Sequence, residues 1–254
     1  MKIVRYLDNG SPSFGIVENG TVYRAEGDPL GGLIRGALAG PMESLTILPP
    51  VEPSKIVAVG LNYALHVTEN DPTRQVPTEP VLFMKPQTAL LGHGGVIELP
   101  EGDRIDHEAE LCIVMGKKAS RVSEDEALDY VLGYTCGNDV SHRVFQRKDG
   151  QWVRAKGFDT FCPFGPWIDT DFDPADAVLT VRVNGQMRQL ASTRDMVFSV
   201  GVLIAYISSV MTLEPGDLVF TGTPAGVSPL KAGDTVEVEI DGLGLLSNVV
   251  KASG

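Results

Sequence analysis

The amino-acid sequence predicts a strand-rich α+β protein: a small β-rich unit followed by a larger one. Three observations lead there. Short apolar or alternating runs recur at residues 2–6, 14–18, 21–24, 56–60, 81–84, 111–115, 179–183, 218–221 and 235–240, far more often than helical patterns do. Pro49, Pro50 and Pro53 stiffen the chain where its character changes, dividing it into a small N-terminal domain at 1–50 and a larger domain at 51–254. The turns 215–217 and 232–234, each ending in Gly-Asp, both start an apolar strand, as antiparallel or mixed sheets require.

Two helices are expected between the strands. Ser123 and Glu126 make a capping-box pattern ahead of 127–132. Residues 196–213 are nearly free of charge and approach the length of a membrane span. They contain Ser199, Ser208, Ser209 and Thr212 and lack a polybasic flank, so they read as a buried helix. Residues 71–78, with two prolines and mixed charge, read as a mobile surface loop.

Composition narrows the function. The 33 acidic and 21 basic residues give a net charge of -12, which argues against nucleic-acid binding, because phosphates need clustered Lys and Arg. An anionic small molecule remains open, since one bound cation reverses the field inside a pocket. Cys112, Cys136 and Cys162 are too few and too far apart for a zinc ribbon or a dithiol. They read as reduced, buried thiols of a cytoplasmic protein, and the N-terminus lacks the apolar core of a signal peptide.

Chemistry-bearing residues fall in separate blocks. Glu108 and Glu110 alternate at the entry to a strand, so they share a face. Side by side they repel unless protonated or bridged by a hard cation such as Mg²⁺, Mn²⁺ or Ca²⁺. Asp139, at the end of the next apolar stretch, can present a third oxygen ligand. Arg143 and Gln146 can share a helical face, where a guanidinium fork suits a carboxylate. Lys156 lies among aromatic, Gly and Pro residues. His66 and Glu69 are three apart, a spacing at which the carboxylate orients the imidazole as a general base. Thr223 sits in a tight turn after a strand, and its hydroxyl can meet a carboxylate. Dinucleotide, phosphate-loop and nucleophile-elbow motifs are all absent.

Taken in order, the blocks 60–69, 83–86, 106–116, 133–146, 156–167 and 212–227 resemble the fumarylacetoacetate hydrolase family, specifically its short acylpyruvate hydrolase and 2-hydroxyhepta-2,4-diene-1,7-dioate isomerase-like members. The resemblance implies a catalytic domain built on a rolled mixed sheet and a homodimer. It implies Mg²⁺ or Mn²⁺ on Glu108, Glu110 and Asp139, with Lys156 beside the ion. Arg143, Gln146 and Thr223 would then hold a small 2-oxo or enol acid, and His66 with Glu69 would activate water on a lid. The sequence departs from the family's habits at His107, His142, Val144 and Ser228. The expected activity is hydrolysis of a carbon–carbon bond in an acylpyruvate-type substrate, with the ion as electron sink for the departing pyruvate enolate. Isomerisation of a hydroxydiene dioate or decarboxylation of an oxaloacetate-type acid would use the same site. A non-catalytic 2-oxo acid binding protein would have no need of the His66–Glu69 pair.

Overall fold

The computed structural model describes residues 1–69, 71–101 and 104–253. It is a strand-rich α+β structure, as the sequence predicts, built on a large mixed sheet and a smaller one. The strand Ala109–Met115 is the centre of the large sheet, pairing antiparallel with Val131–Asn138 on one side and with Leu218–Phe220 on the other. Leu218–Phe220 runs parallel to Ile56–Gly60, which pairs antiparallel with Val81–Lys85. Every residue of Ala109–Met115 is buried, which explains its continuous apolar run. Leu111, Ile113 and Met115 pack into one core, shared with Leu179, Val181, Val238 and Leu246 of the five-stranded sheet. Cys112 and Val114 face a second core with Ile56, Phe164 and Phe220.

Strands Lys2–Asp8, Ser11–Glu18, Thr21–Asp28 and Gly32–Pro41 extend the large sheet, because Lys2 and Ile3 pair with Asp169 and Ile168 of the strand Cys162–Asp169. The sheet is rolled, and an ion pair demonstrates it. Val81–Lys85 and Val131–Asn138 stand four inter-strand steps apart, which in a flat sheet would be about 19 Å. Yet Lys85 Nζ meets the Asp139 carboxylate. Only curvature brings these two strands within a lysine's reach.

Two expectations are corrected. Residues 127–132 are not an α-helix: a single 3₁₀ turn spans Ala127–Tyr130, and Val131 already opens the strand Val131–Asn138. Pairing of Met115 with Val131 and of Val114 with Gly133 outweighs the local pattern. Ser123 Oγ donates to the Glu126 carboxylate instead of capping a helix. The apolar helix is real but shorter, covering Val200–Val210, with the Ser199 hydroxyl accepting from the Val202 N–H and Leu203, Ile204 and Ile207 buried. Among the described residues no helix is long and apolar enough to cross a membrane. The three cysteines are free and buried, and residues 71–79 are irregular and mostly exposed.

Ile113 is fully buried between the sheets. Its replacement by Ala should lower stability by about 2–5 kcal/mol in urea unfolding. A loss under about 1 kcal/mol would contradict close packing at this position.

Candidate functional site

The strand directions converge on one end of the sheet. Ile56–Gly60 and Leu218–Phe220, parallel to each other, both finish there, the first leading into residues 61–69 and the second into 221–226. The antiparallel strand Ala109–Met115 begins at that end, just after Glu108, and Val131–Asn138 ends there, just before Asp139. Glu108, Glu110 and Asp139 are all buried, and each brings a carboxylate oxygen within 4.8 Å of the others. The alternation and strand-end readings thus place three acids together.

Three cations answer them. Lys156, the last residue of the short helix Val153–Lys156, donates to Glu108 Oε2 at 2.7 Å and to Asp139 Oδ2 at 2.5 Å. Lys85 donates to Asp139 Oδ1. Arg143, which begins the helix Arg143–Lys148, places Nη2 2.6 Å from Glu108 Oε1 and donates from Nε to Asp106 at 2.8 Å and from Nη1 to Gln146 at 2.8 Å. Burial opposes the charge on Glu108, but Arg143 and Lys156 hold its carboxyl well below the usual range. Glu110 differs. It makes no ion pair among the described residues and accepts only the Gly222 N–H, at 2.7 Å. Burial, then Asp139 and Glu108, push its carboxyl well above the ordinary value.

The Gly222 N–H reaches Glu110 because the backbone turns through φ +100°, and a Cβ there would stand 2.7 Å from the Asn62 side chain. Asn62 is fully buried, donates to the Thr221 carbonyl at 2.7 Å and accepts from the Phe198 N–H at 2.7 Å. It fixes the root of the segment that carries His66. His66 Nδ1 lies 3.0 Å from Glu69 Oε2, and Glu69 Oε1 accepts the Gly226 N–H at 2.8 Å. A carboxylate can only accept, so in the neutral imidazole Nδ1 carries the hydrogen and Nε2 presents its lone pair. Burial pushes the Glu69 carboxyl up, but His66 and the Gly226 N–H outweigh it and bring it below its ordinary value.

Thr223 accepts from Gln189 Nε2 at 2.9 Å. Gln189 Oε1 in turn accepts from the Ala109 N–H, and His107 Nδ1 lies 3.0 Å from it. His107 Nε2 lies 2.8 Å from Ser228 Oγ, so two of the departures seen in the sequence are a single contact behind the site. His142 is buried and stacked on Phe145 and Phe158. A small inner cavity of about 20 Å³ is lined by the three acids together with His66, Gln146, Lys156 and Thr223, all singled out in the sequence. Arg143 and Glu69 stand behind this wall, through Glu108 and His66. Lys85, Asp106, Trp152 and Phe83 were not singled out. Lys85 closes an otherwise apolar strand, which is the one local sign it gives. Trp152 packs edge-on to Phe83 at 5.3 Å to wall the cavity.

A family model described as Fumarylacetoacetate (FAA) hydrolase C-terminal matches residues 55–251. The chain belongs to this family. A second model, described as Rv2993c-like, N-terminal, matches residues 1–50. The chain is 43% identical to an oxaloacetate tautomerase fahd2, mitochondrial, of Xenopus laevis, over 82% of this chain and 69% of that protein. It superposes on a 2-hydroxyhepta-2,4-diene-1,7-dioate isomerase from Mycobacterium marinum with TM-score 0.92 and 43% identity, covering 100% of this chain and 99% of the other. A maleylpyruvate hydrolase from Sphingobium sp. SYK-6, solved with manganese(II) and pyruvate, gives TM-score 0.82 at 32% identity, with 100% of both chains covered. The chain is therefore an enzyme of a family whose named members include isomerases, hydrolases and tautomerases.

The lowered Glu69 carboxyl fixes the sign of a pH effect. Its contribution is complete above the unfolded value, about 4.3, and is lost as pH falls through the lower folded value. The stability gap between wild type and Glu69→Gln, measured by chemical unfolding, should be present at pH ~7 and shrink below pH ~4. A gap independent of pH would contradict an ionised Glu69 anchor.

Proposed function

We propose that the enzyme binds a 2-oxo acid on a divalent cation held by Glu108, Glu110 and Asp139, and that His66 moves a proton at the carbon next to the 2-oxo group. The observation that carries this reading is Glu110, a buried carboxyl that makes no ion pair among the described residues and faces the same small cavity as His66. The donor set fits a hard ion, since it offers three carboxylate oxygens and neither sulfur nor imidazole. Mg²⁺ or Mn²⁺, when bound, supplies a Lewis acid for substrate oxygens.

Charge supports an anionic substrate. Glu108 and Asp139 already pair with Lys85, Lys156 and Arg143, and Asp106 pairs with Arg104 and Arg143, so that four cations stand beside four acids although Glu110 pairs with none. A divalent cation added to this balanced set leaves a positive surplus, which a carboxylate and a developing enol oxygen would neutralise. Arg143, Gln146 and Thr223 would orient that carboxylate, with Lys156 bonded to the carboxylates of Glu108 and Asp139. Trp152 and Phe83 wall the cavity against water. His66 Nε2 takes a proton from the carbon beside the 2-oxo group and returns it at another carbon or oxygen, with Glu69 steadying the imidazolium.

Proton transfer of this kind fits isomerisation or tautomerisation, the activities named for relatives that share 43% identity. A second reading is hydrolysis of an acylpyruvate, favoured by the likeness to a hydrolase that holds manganese and pyruvate. There His66 would take its proton from a water whose oxygen joins the distal acyl carbon, and the pyruvate carbon would gain the proton as the bond breaks. Decarboxylation of an oxaloacetate-type acid would need no attacking water.

The test is an assay of enol-oxaloacetate, a hydroxydiene dioate and acylpyruvates with Mg²⁺, Mn²⁺ or chelator. At least one substrate should turn over with metal only, and the product, isomer or fragments, separates the readings. His66→Ala should lower kcat by about 10²–10⁴-fold while oxalate still binds. Undiminished turnover in that variant would overturn the assignment of the base.

A further inference from the structure

Two departures in the sequence, His107 and Ser228, meet behind the acidic site, and the group they buttress is Gln189. Gln189 lies in the strand Gln186–Ser192, at the edge of the five-stranded sheet, opposite Val181 of the strand Val178–Val183. The other residues of that strand are exposed or half-buried, yet Gln189 is 1% exposed. A polar side chain is buried in this way when its hydrogen bonds are met inside. The turn 221–226 rests directly on this strand: a Cβ on Gly226 would stand 2.3 Å from the Arg188 carbonyl oxygen.

Every hydrogen-bonding capacity of the Gln189 amide is used. Oε1 accepts from the Ala109 N–H at 3.1 Å and lies 3.0 Å from His107 Nδ1. Nε2 donates to the Pro224 carbonyl at 2.7 Å and to Thr223 Oγ1 at 2.9 Å. The two backbone groups decide which end of the amide is which, since an N–H meets only the oxygen and a carbonyl meets only the NH₂. Both side-chain neighbours then have fixed roles. His107 Nδ1 carries a hydrogen, and Thr223 Oγ1 accepts, so the hydrogen of the Thr223 hydroxyl points away from Gln189. Among the described residues that hydroxyl has no other partner, and Thr223 lines the inner cavity beside the three acids.

We propose that Gln189 is a positioning residue, which holds the Thr223 hydroxyl as a hydrogen-bond donor aimed at a carboxylate oxygen of the 2-oxo acid. A free hydroxyl can turn either its hydrogen or its lone pairs to a ligand, and only the hydrogen suits an anion. With one lone pair taken by Gln189, the incoming carboxylate is the group that receives the hydrogen. The same amide holds Ala109, the residue between Glu108 and Glu110, so one side chain from the second sheet ties the acids to the hydroxyl. The inference rests on the 2-oxo acid reading of the inner site, which wild-type binding of oxalate tests separately.

The experiment is calorimetric titration of oxalate into the protein at saturating Mn²⁺, so that a weaker ion site does not enter the result. It compares wild type, Gln189→Met, Thr223→Val and the double variant. Thr223→Val should weaken oxalate about tenfold or more. Gln189→Met should weaken it about fivefold or more with Thr223 present, but less than about twofold in the Thr223→Val background, where no hydroxyl is left to orient. Undiminished binding in either single variant, or an equal loss from Gln189→Met in both backgrounds, would overturn the positioning role. A crystal structure of wild type with Mn²⁺ and oxalate tests it without any variant. Thr223 Oγ1 should stand within about 3.2 Å of both Gln189 Nε2 and an oxalate oxygen, and contact with only one of them would overturn the role. Failure of wild type to bind oxalate would instead overturn the 2-oxo acid reading, and the role of Gln189 with it.

Discussion

Three carboxylates buried within 4.8 Å of one another set the terms for everything around them. Such a group cannot stay ionised in a low-dielectric interior without cations or hydrogen-bond donors. Lys85, Lys156 and Arg143 satisfy Glu108 and Asp139, and each comes from a different part of the chain. The roll of the sheet lets Lys85 reach Asp139, and two short helices after Val131–Asn138 carry Arg143 and Lys156 inward. Glu110 is left with one backbone donor. The site is therefore poised for one more positive charge.

The turn at 221–226 joins that electrostatic demand to His66. Its Gly222 N–H holds Glu110, its Thr221 carbonyl holds Asn62 at the root of the His66 segment, and its Gly226 N–H holds Glu69. Gly226 lies at φ +102°, where a Cβ would collide with the Arg188 carbonyl oxygen, so the close approach of backbone to backbone depends on glycine. Glu110 and the imidazole are thus positioned by one short stretch of backbone.

Local physics made part of this legible in the sequence. Strand alternation put Glu108 and Glu110 on one face, the end of an apolar run put Asp139 beside them, and helical spacing paired His66 with Glu69 and Arg143 with Gln146. Each of those relations spans a few residues. Long-range relations were not legible: nothing near Lys85 announces Asp139, 54 residues away, and Asp106 gives no sign of holding two arginines. The fold followed the same rule. Nine strands can be read from the sequence, while Gly32–Pro41, Gln186–Ser192 and Gly244–Ala252 cannot. Val131–Asn138 overlaps a helical pattern, and Cys162–Asp169 is hidden by Pro163, Gly165 and Pro166. Both strands owe their state to neighbours supplied by the sheet rather than to their own residues.

The chemistry of this site depends on whether the three acids hold a cation. The most direct measurement is a crystal structure with Mn²⁺ and oxalate, with anomalous scattering recorded at the manganese edge. The account predicts one anomalous peak bounded by Glu108, Glu110 and Asp139, with oxalate on the side facing His66. A peak elsewhere, or none while the Lys156 bridge between Glu108 and Asp139 persists and oxalate is bound, would contradict it.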